Sequence, residues 1–253
     1  DAGGLFATQH FTVSVTNVGA NTLGVWASLP SLPTLRTYPA VGVINGLLYV
    51  AGGYNGLTGT TLSVLEVYDP GTDTWTTRTP MPTPCSEAAA GVINGELYLV
   101  GCVRLEPNQP RILGTFMYDP ITDTWATKTP MPTIRNVPGF GVIDGKFYVV
   151  GGGITGGVYT NVLEVYDPAT DTWATKASMP TVRAYPAVGV IDGKLYVAGG
   201  LRPVPHSMTG ALEVYDPTTD TWAVKAPMPT PRYAHVAGVI DGKLYTIGGD
   251  PTA

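Results

Sequence analysis

Histidine is nearly missing from this sequence. His10, His206 and His235 are the three present in 253 residues, and no two of them sit at a short metal-ligand spacing. Cysteine is almost as rare. Cys85 and Cys102 allow one bridge at most, which excludes a disulfide-built scaffold. Charged residues make up only 13% of the chain and the net charge is −5, so there is no electrostatic footprint for nucleic acid or an anionic membrane. No apolar run approaches the ~20 residues of a membrane span, so membrane insertion is not expected. No nucleophile elbow, phosphate loop or cofactor motif is present. No secretory leader is legible before the first strand-like segment, although a chain that starts at Asp1 is compatible with a mature or trimmed form.

What is abundant is glycine and proline, 32 and 23 residues, in a chain that is 44% apolar. Low charge with strong patterning describes a turn-rich folded β protein rather than a disordered one. The pattern is a repeat. Trp26, Trp75, Trp125, Trp173 and Trp222 are 49, 50, 48 and 49 residues apart. A fixed period near 50 means copies of one supersecondary unit. Each copy reads as four short strands. The first is small and apolar, as in 187–191, AVGVI. An Asn-Gly or Asp-Gly pair follows, the strongest short hairpin signal because a type I′ turn needs positive φ twice. The second strand ends in Gly-Gly, as at Gly199-Gly200. A loop of variable length leads to a third strand such as Leu212 to Tyr215, and an Asp-Pro-x-Thr-Asp turn leads to a fourth that opens at Trp.

The Gly-Gly pair, the third-strand Tyr and the following Trp recur in register, and together they resemble the kelch repeat over roughly residues 26–253. The resemblance implies an all-β fold, a kelch-type β-propeller forming a single domain over 1–253. A lone four-stranded sheet cannot bury both faces, whereas a ring of blades can. Five copies imply five four-stranded blades, fewer than the six or seven commoner in kelch propellers. Copy five lacks its third and fourth strands, and the N-terminal part contains two strand-like segments, 10–16 and 23–28. These N-terminal strands are expected to complete the last blade. Closure within one chain gives a monomer, and donation to another copy gives a homo-oligomer. Residues 1–18 also resemble, over a short stretch, the closing strand of bacterial extracellular immunoglobulin-like or cadherin-like repeats, which implies an extracellular or cell-surface setting.

Copy two is irregular. Cys85 stands where the others carry Arg36, Arg135, Arg183 and Arg232, and Cys102 replaces the second Gly of the pair. A hairpin turning at Asn94-Gly95 makes the two cysteines diagonal neighbours, within bonding reach. A disulfide and two buried thiols both remain open. The four arginines recur at the entrance to the innermost strand. They form either a guanidinium collar for a carboxylate or phosphate, or braces that bond to loop carbonyls within each blade. A residue present in nearly every copy favours the brace.

Positions that differ between copies are better candidates for recognition. Two residues after the Arg the series is Tyr38, Glu87, Val137, Tyr185 and Ala234, and His235 follows where other copies carry Pro or Ala. The loops after Gly-Gly bring Tyr54, Arg104 and Arg202 to the same rim, with Glu106, Asn108 and Arg111 in copy two. The expected ligand-binding rim is therefore Arg36, Tyr38, Tyr54, Glu87, Arg104, Arg135, Arg183, Tyr185, Arg202, Arg232 and His235. Tyr and Arg suit binding surfaces because they pair large contact area with polar tips. The expected function is non-catalytic recognition of a protein or glycan, with no cofactor and no metal. Kelch enzymes of the galactose-oxidase type need converging His and Tyr ligands that this chain lacks, and a mutarotase-like site would have to use Glu87 or Glu106. The Asp residues of the Asp-Pro-x-Thr-Asp turns, such as Asp171, read as turn formers.

Overall fold

A computed structural model describes residues 28–104, 114–154, 157–203 and 207–251. Among these residues all regular structure is β. The first blade is β1 (Ala40–Ile44), β2 (Leu47–Ala51), β5 (Leu65–Asp69) and β6 (Thr74–Arg78), with a small hairpin, β3 (Tyr54–Asn55) and β4 (Thr60–Thr61), in its loop. The second is β7 (Ala89–Ile93), β8 (Glu96–Val100), β9 (Thr115–Asp119) and β10 (Thr124–Lys128). The third is β11 (Gly139–Ile143), β12 (Lys146–Val150), β13 (Leu163–Asp167) and β14 (Thr172–Lys176). The fourth is β15 (Ala187–Ile191), β16 (Lys194–Ala198), β17 (Leu212–Asp216) and β18 (Thr221–Lys225). The fifth contributes β19 (Val236–Ile240) and β20 (Lys243–Ile247). The expected N-terminal closing strands lie outside the described residues.

Within each blade the strands run as an antiparallel meander. The hairpin register is the one the turns dictate: Ile93 opposes Glu96 across Asn94-Gly95, and Ile191 opposes Lys194 across Asp192-Gly193. Both turn residues have positive φ, +52° and +82° at Asn94 and Gly95, which is the type I′ geometry.

Blades join through their innermost strands. In blades one to four the glycine at the centre of the first strand is needed for this contact. A Cβ on Gly42 would lie 2.6 Å from Leu97 Cδ1 and one on Gly141 would lie 2.8 Å from Leu195 Cδ1, both side chains of the next blade. The small first strand therefore answers to its neighbouring blade. The buried clusters confirm that the core sits between blades. One joins Ala40, Ile44 and Leu65 to Leu97, Leu99 and Phe116, and another joins Ile143 and Tyr148 to Leu195 and Tyr215.

A second seam lies further out. In the junctions among blades one to four the Trp indole donates to a carbonyl of the preceding blade: Trp125 Nε1 to Thr79 O at 2.8 Å, Trp173 to Thr129 at 2.9 Å, Trp222 to Ala177 at 2.7 Å. Asp123, Asp171 and Asp220 return the link, each accepting the backbone N–H of that same Thr79, Thr129 or Ala177. The same carboxylate oxygen accepts the third-strand tyrosine hydroxyl, as from Tyr166 to Asp171 at 2.7 Å. These aspartates thus clamp one blade to the next, a role beyond forming their turn.

Candidate functional site

The mouth of the propeller is built from two segments of each blade. The residue before the variable series pairs with the residue after Gly-Gly: Thr37 with Tyr54, Ser86 with Val103, Asn136 with Gly153, Ala184 with Leu201 and Tyr233 with Asp250. The two segments expected to share a rim are therefore zipped together in every blade. Tyr38, Glu87, Val137, Tyr185 and Ala234 all adopt φ between +49° and +55°. Non-glycine residues seldom sit there, least of all a β-branched one. The strain is offset by main-chain bonds that step from blade to blade. Glu87 N donates to Tyr38 O at 3.1 Å, Tyr185 N to Val137 O at 3.0 Å and Ala234 N to Tyr185 O at 3.3 Å.

On this frame the side chains of Tyr38, Glu87, Tyr159, Tyr185 and Tyr233 gather. Tyr38 is 61% exposed. Tyr185 meets Tyr233 edge to face with ring centroids 5.8 Å apart. Burial raises the Tyr185 phenol above its ordinary value, and the nearby charges of Glu87, Tyr159, Tyr38 and Tyr233 push the same way. Tyr159 joins this cluster from the loop after Gly151-Gly152. Tyr54 is half-buried in the β3–β4 hairpin on the same rim, Arg104 is half-buried and Arg202 is exposed. Glu106, Asn108, Arg111 and His206 lie outside the described residues.

The arginines go elsewhere. Arg36, Arg135 and Arg183 have fully covered side chains and pair inside their own blades with Glu66, Glu164 and Glu213. Each also donates to at least two backbone carbonyls, Arg183 to Gly199 O at 3.1 Å, Ala211 O at 2.9 Å and Val197 O at 3.2 Å. Burial lowers the pKa of all three, against the opposing pull of the glutamate, and takes Arg183 down to about 10. They remain charged at neutral pH, and they tie the second strand's end to the third strand. The collar reading is corrected for these three, because a guanidinium without exposed surface cannot grip a ligand in the mouth. Arg232 is half-buried and donates to Gly248 O at 2.8 Å. His235 is 6% exposed, wedged between blades four and five with its Cε1 against Gly199. Burial, then the charges of Arg232 and Arg183, lower its pKa. It too is enclosed and does not present its ring to the rim.

Cys85 and Cys102 form a disulfide with Cα atoms 4.9 Å apart. It holds the strand leading to Glu87 against the strand leading to Arg104. Where blades one, three and four pair Arg with Glu, blade two has this bridge and Phe116.

The sequence matches the KLHDC2/KLHL20/DRC7 Kelch-repeats domain over residues 40–249. The chain belongs to the kelch-repeat family. Among solved structures this kelch propeller is similar to YjhT, with a TM-score of 0.78 at 18% identity, over 89% of this chain and 81% of that one. At that identity the likeness concerns the fold. No curated protein sequence matches this kelch chain.

Proposed function

We propose that this kelch propeller is a non-catalytic binding module that takes a protein or glycan ligand at the tyrosine-rich mouth. A kelch propeller supports an interaction role in general, but a fold does not choose the ligand. The observation that carries the reading is the gathering of Tyr38, Tyr159 and Tyr233 with Glu87 around Tyr185, on a rim whose backbone is fixed by inter-blade bonds. Tyrosine brings a flat apolar face and a polar tip at little entropic cost, which suits a binding surface. A rigid scaffold with side chains that vary from copy to copy is where recognition is usually placed. The non-catalytic part is supported by the enclosure of His235 and by the use of Glu66, Glu164 and Glu213 as internal braces.

The test is a screen of glycan and peptide arrays with residues 1–253, repeated with Tyr185→Ala and Tyr38→Ala. Binding should fall at least tenfold in Tyr185→Ala while the unfolding midpoint in urea moves little. A ligand that binds both variants as tightly as the parent would place recognition away from the mouth. Turnover of a sugar ligand by the parent chain would sink the non-catalytic reading.

A further inference from the structure

The tyrosines of the mouth meet at an angle that suits one kind of ligand group. Tyr185 and Tyr233 stand at 71° to each other, with ring centroids 5.8 Å apart. Two rings so placed form a corner, not the flat platform on which a planar ring stacks. Tyr38 of blade one, Glu87 of blade two and Tyr159 of blade three all lie close enough to act on the Tyr185 hydroxyl. Tyr159 is placed there by strand pairing, because Gly153 bridges to Tyr159 on one side and to Asn136 on the other.

The charge around the corner has one sign. Among the described residues no guanidinium or ammonium is one of the groups acting on Tyr185. Arg36, Arg135 and Arg183 are paired inside their blades, and Arg202 acts on Arg183 instead. Aromatic faces are negative, and a cation is drawn over them by its charge. The kind of cation follows from its polar atoms. A primary ammonium brings three N–H donors and a guanidinium five, and each needs an acceptor once it leaves water. A trimethylammonium has no donor, so ring faces are enough for it. The surroundings are aliphatic. Leu35, Leu57 and Val158 are 52%, 79% and 51% exposed, in the same rim segments as Tyr38, Tyr54 and Tyr159. Exposed apolar side chains gathered on one face suit a protein surface.

On the reading that the mouth is the binding site, we infer that its anchor ligand is a trimethylammonium group, carried on a trimethylated lysine side chain of a protein partner. The group enters the corner between Tyr185 and Tyr233, with Tyr38, Tyr159 and Glu87 around its charge. Leu35 and Leu57 then lie against the flanking chain of the partner.

The test titrates residues 1–253 with three short Ala-Gly peptides that differ at one side chain. The first carries trimethyllysine, the second unmodified lysine, and the third the uncharged isostere in which carbon replaces the quaternary nitrogen. The first is expected to bind about tenfold more tightly than either of the others. Tyr185→Phe keeps the ring face and should retain that binding. Tyr185→Leu keeps apolar bulk without a ring and should lose about tenfold. Equal affinity for the charged peptide and its carbon isostere overturns the inference, and so does equal affinity in the Phe and Leu variants. Phosphocholine that binds more tightly than the trimethyllysine peptide overturns the protein source and moves the group to a glycan or lipid. If no trimethyllysine binding is seen while another peptide or glycan binds and is lost in Tyr185→Ala, the inference falls and the mouth remains the binding site. If the trimethyllysine peptide binds parent and Tyr185→Leu alike, the mouth loses both roles.

Discussion

Cys85 and Phe116 lie in one buried cluster of blade two, at the places where Arg183 and Glu213 form an ion pair in blade four. Both members of the charged pair have been exchanged together. This is the outcome expected if the pair is a unit: either charge alone would be buried without compensation, whereas joint replacement by apolar groups is tolerated.

Breaking the pair in blade four should therefore be costly. Arg183→Met leaves Glu213 buried and is expected to lower stability by about 3–5 kcal/mol. Adding Glu213→Leu should recover most of the loss. Urea unfolding of the single and double variants checks both expectations.

The disulfide of blade two takes over the bracing role. Cys85→Ser with Cys102→Ser should cost about 3 kcal/mol, the size set by closing a short loop, here 17 residues apart in sequence. Reduction should give the same shift in unfolding midpoint. Because the bridge positions Glu87, any ligand bound at the mouth should also be held less tightly.

The clamp between blades two and three predicts a smaller effect. Tyr166→Phe removes the hydroxyl that donates to Asp171 and should cost about 1 kcal/mol. The indole of Trp173 and the N–H of Thr129 still bond across the junction, so the fold should survive. Thermal unfolding with hydrogen exchange at Thr129 measures it.

His235 predicts a pH dependence. Its folded pKa lies below the ordinary value of 6.5, so the unfolded chain binds the proton more readily. The stability linked to the neutral ring is fully present above pH 6.5 and is lost as pH falls below it. His235→Ala, the residue that Ala88 supplies in blade two, should remove this slope. Unfolding midpoints at pH 7.5 and 5.5 for parent and variant decide the matter. A parent that is equally stable at both values would contradict it.

Much of the fold was legible because each element left a mark in every copy. Asn94-Gly95 and its four counterparts set the hairpins, and the Trp period set the blades. The Asp171 clamp was hidden because its partners, Thr129 and Tyr166, lie 42 residues before it and five before it, so only the three-dimensional junction joins them. The Arg–Glu braces were half visible. The sequence showed arginine missing from copy two and, separately, Phe116 in place of Glu, and the shared absence was the signal that pairs them. At the mouth, Tyr38 and Tyr185 stood out by variation, while Tyr159 came from a loop whose path no local pattern dictates. His235 looked like a rim residue because the chain around it is on the rim; its burial follows from the glycine of the next-door blade, Gly199.

The main-chain bonds from Glu87 to Tyr38, from Tyr185 to Val137 and from Ala234 to Tyr185 have one more consequence. An aromatic, an acid, a β-branched residue and an alanine all occupy the same left-handed bend. The bend is held by amides and carbonyls, so the side chain there differs from blade to blade while the ring keeps its form. These places behave as sockets in a fixed plate, and new specificities can be written into the mouth one residue at a time while the scaffold stays as it is.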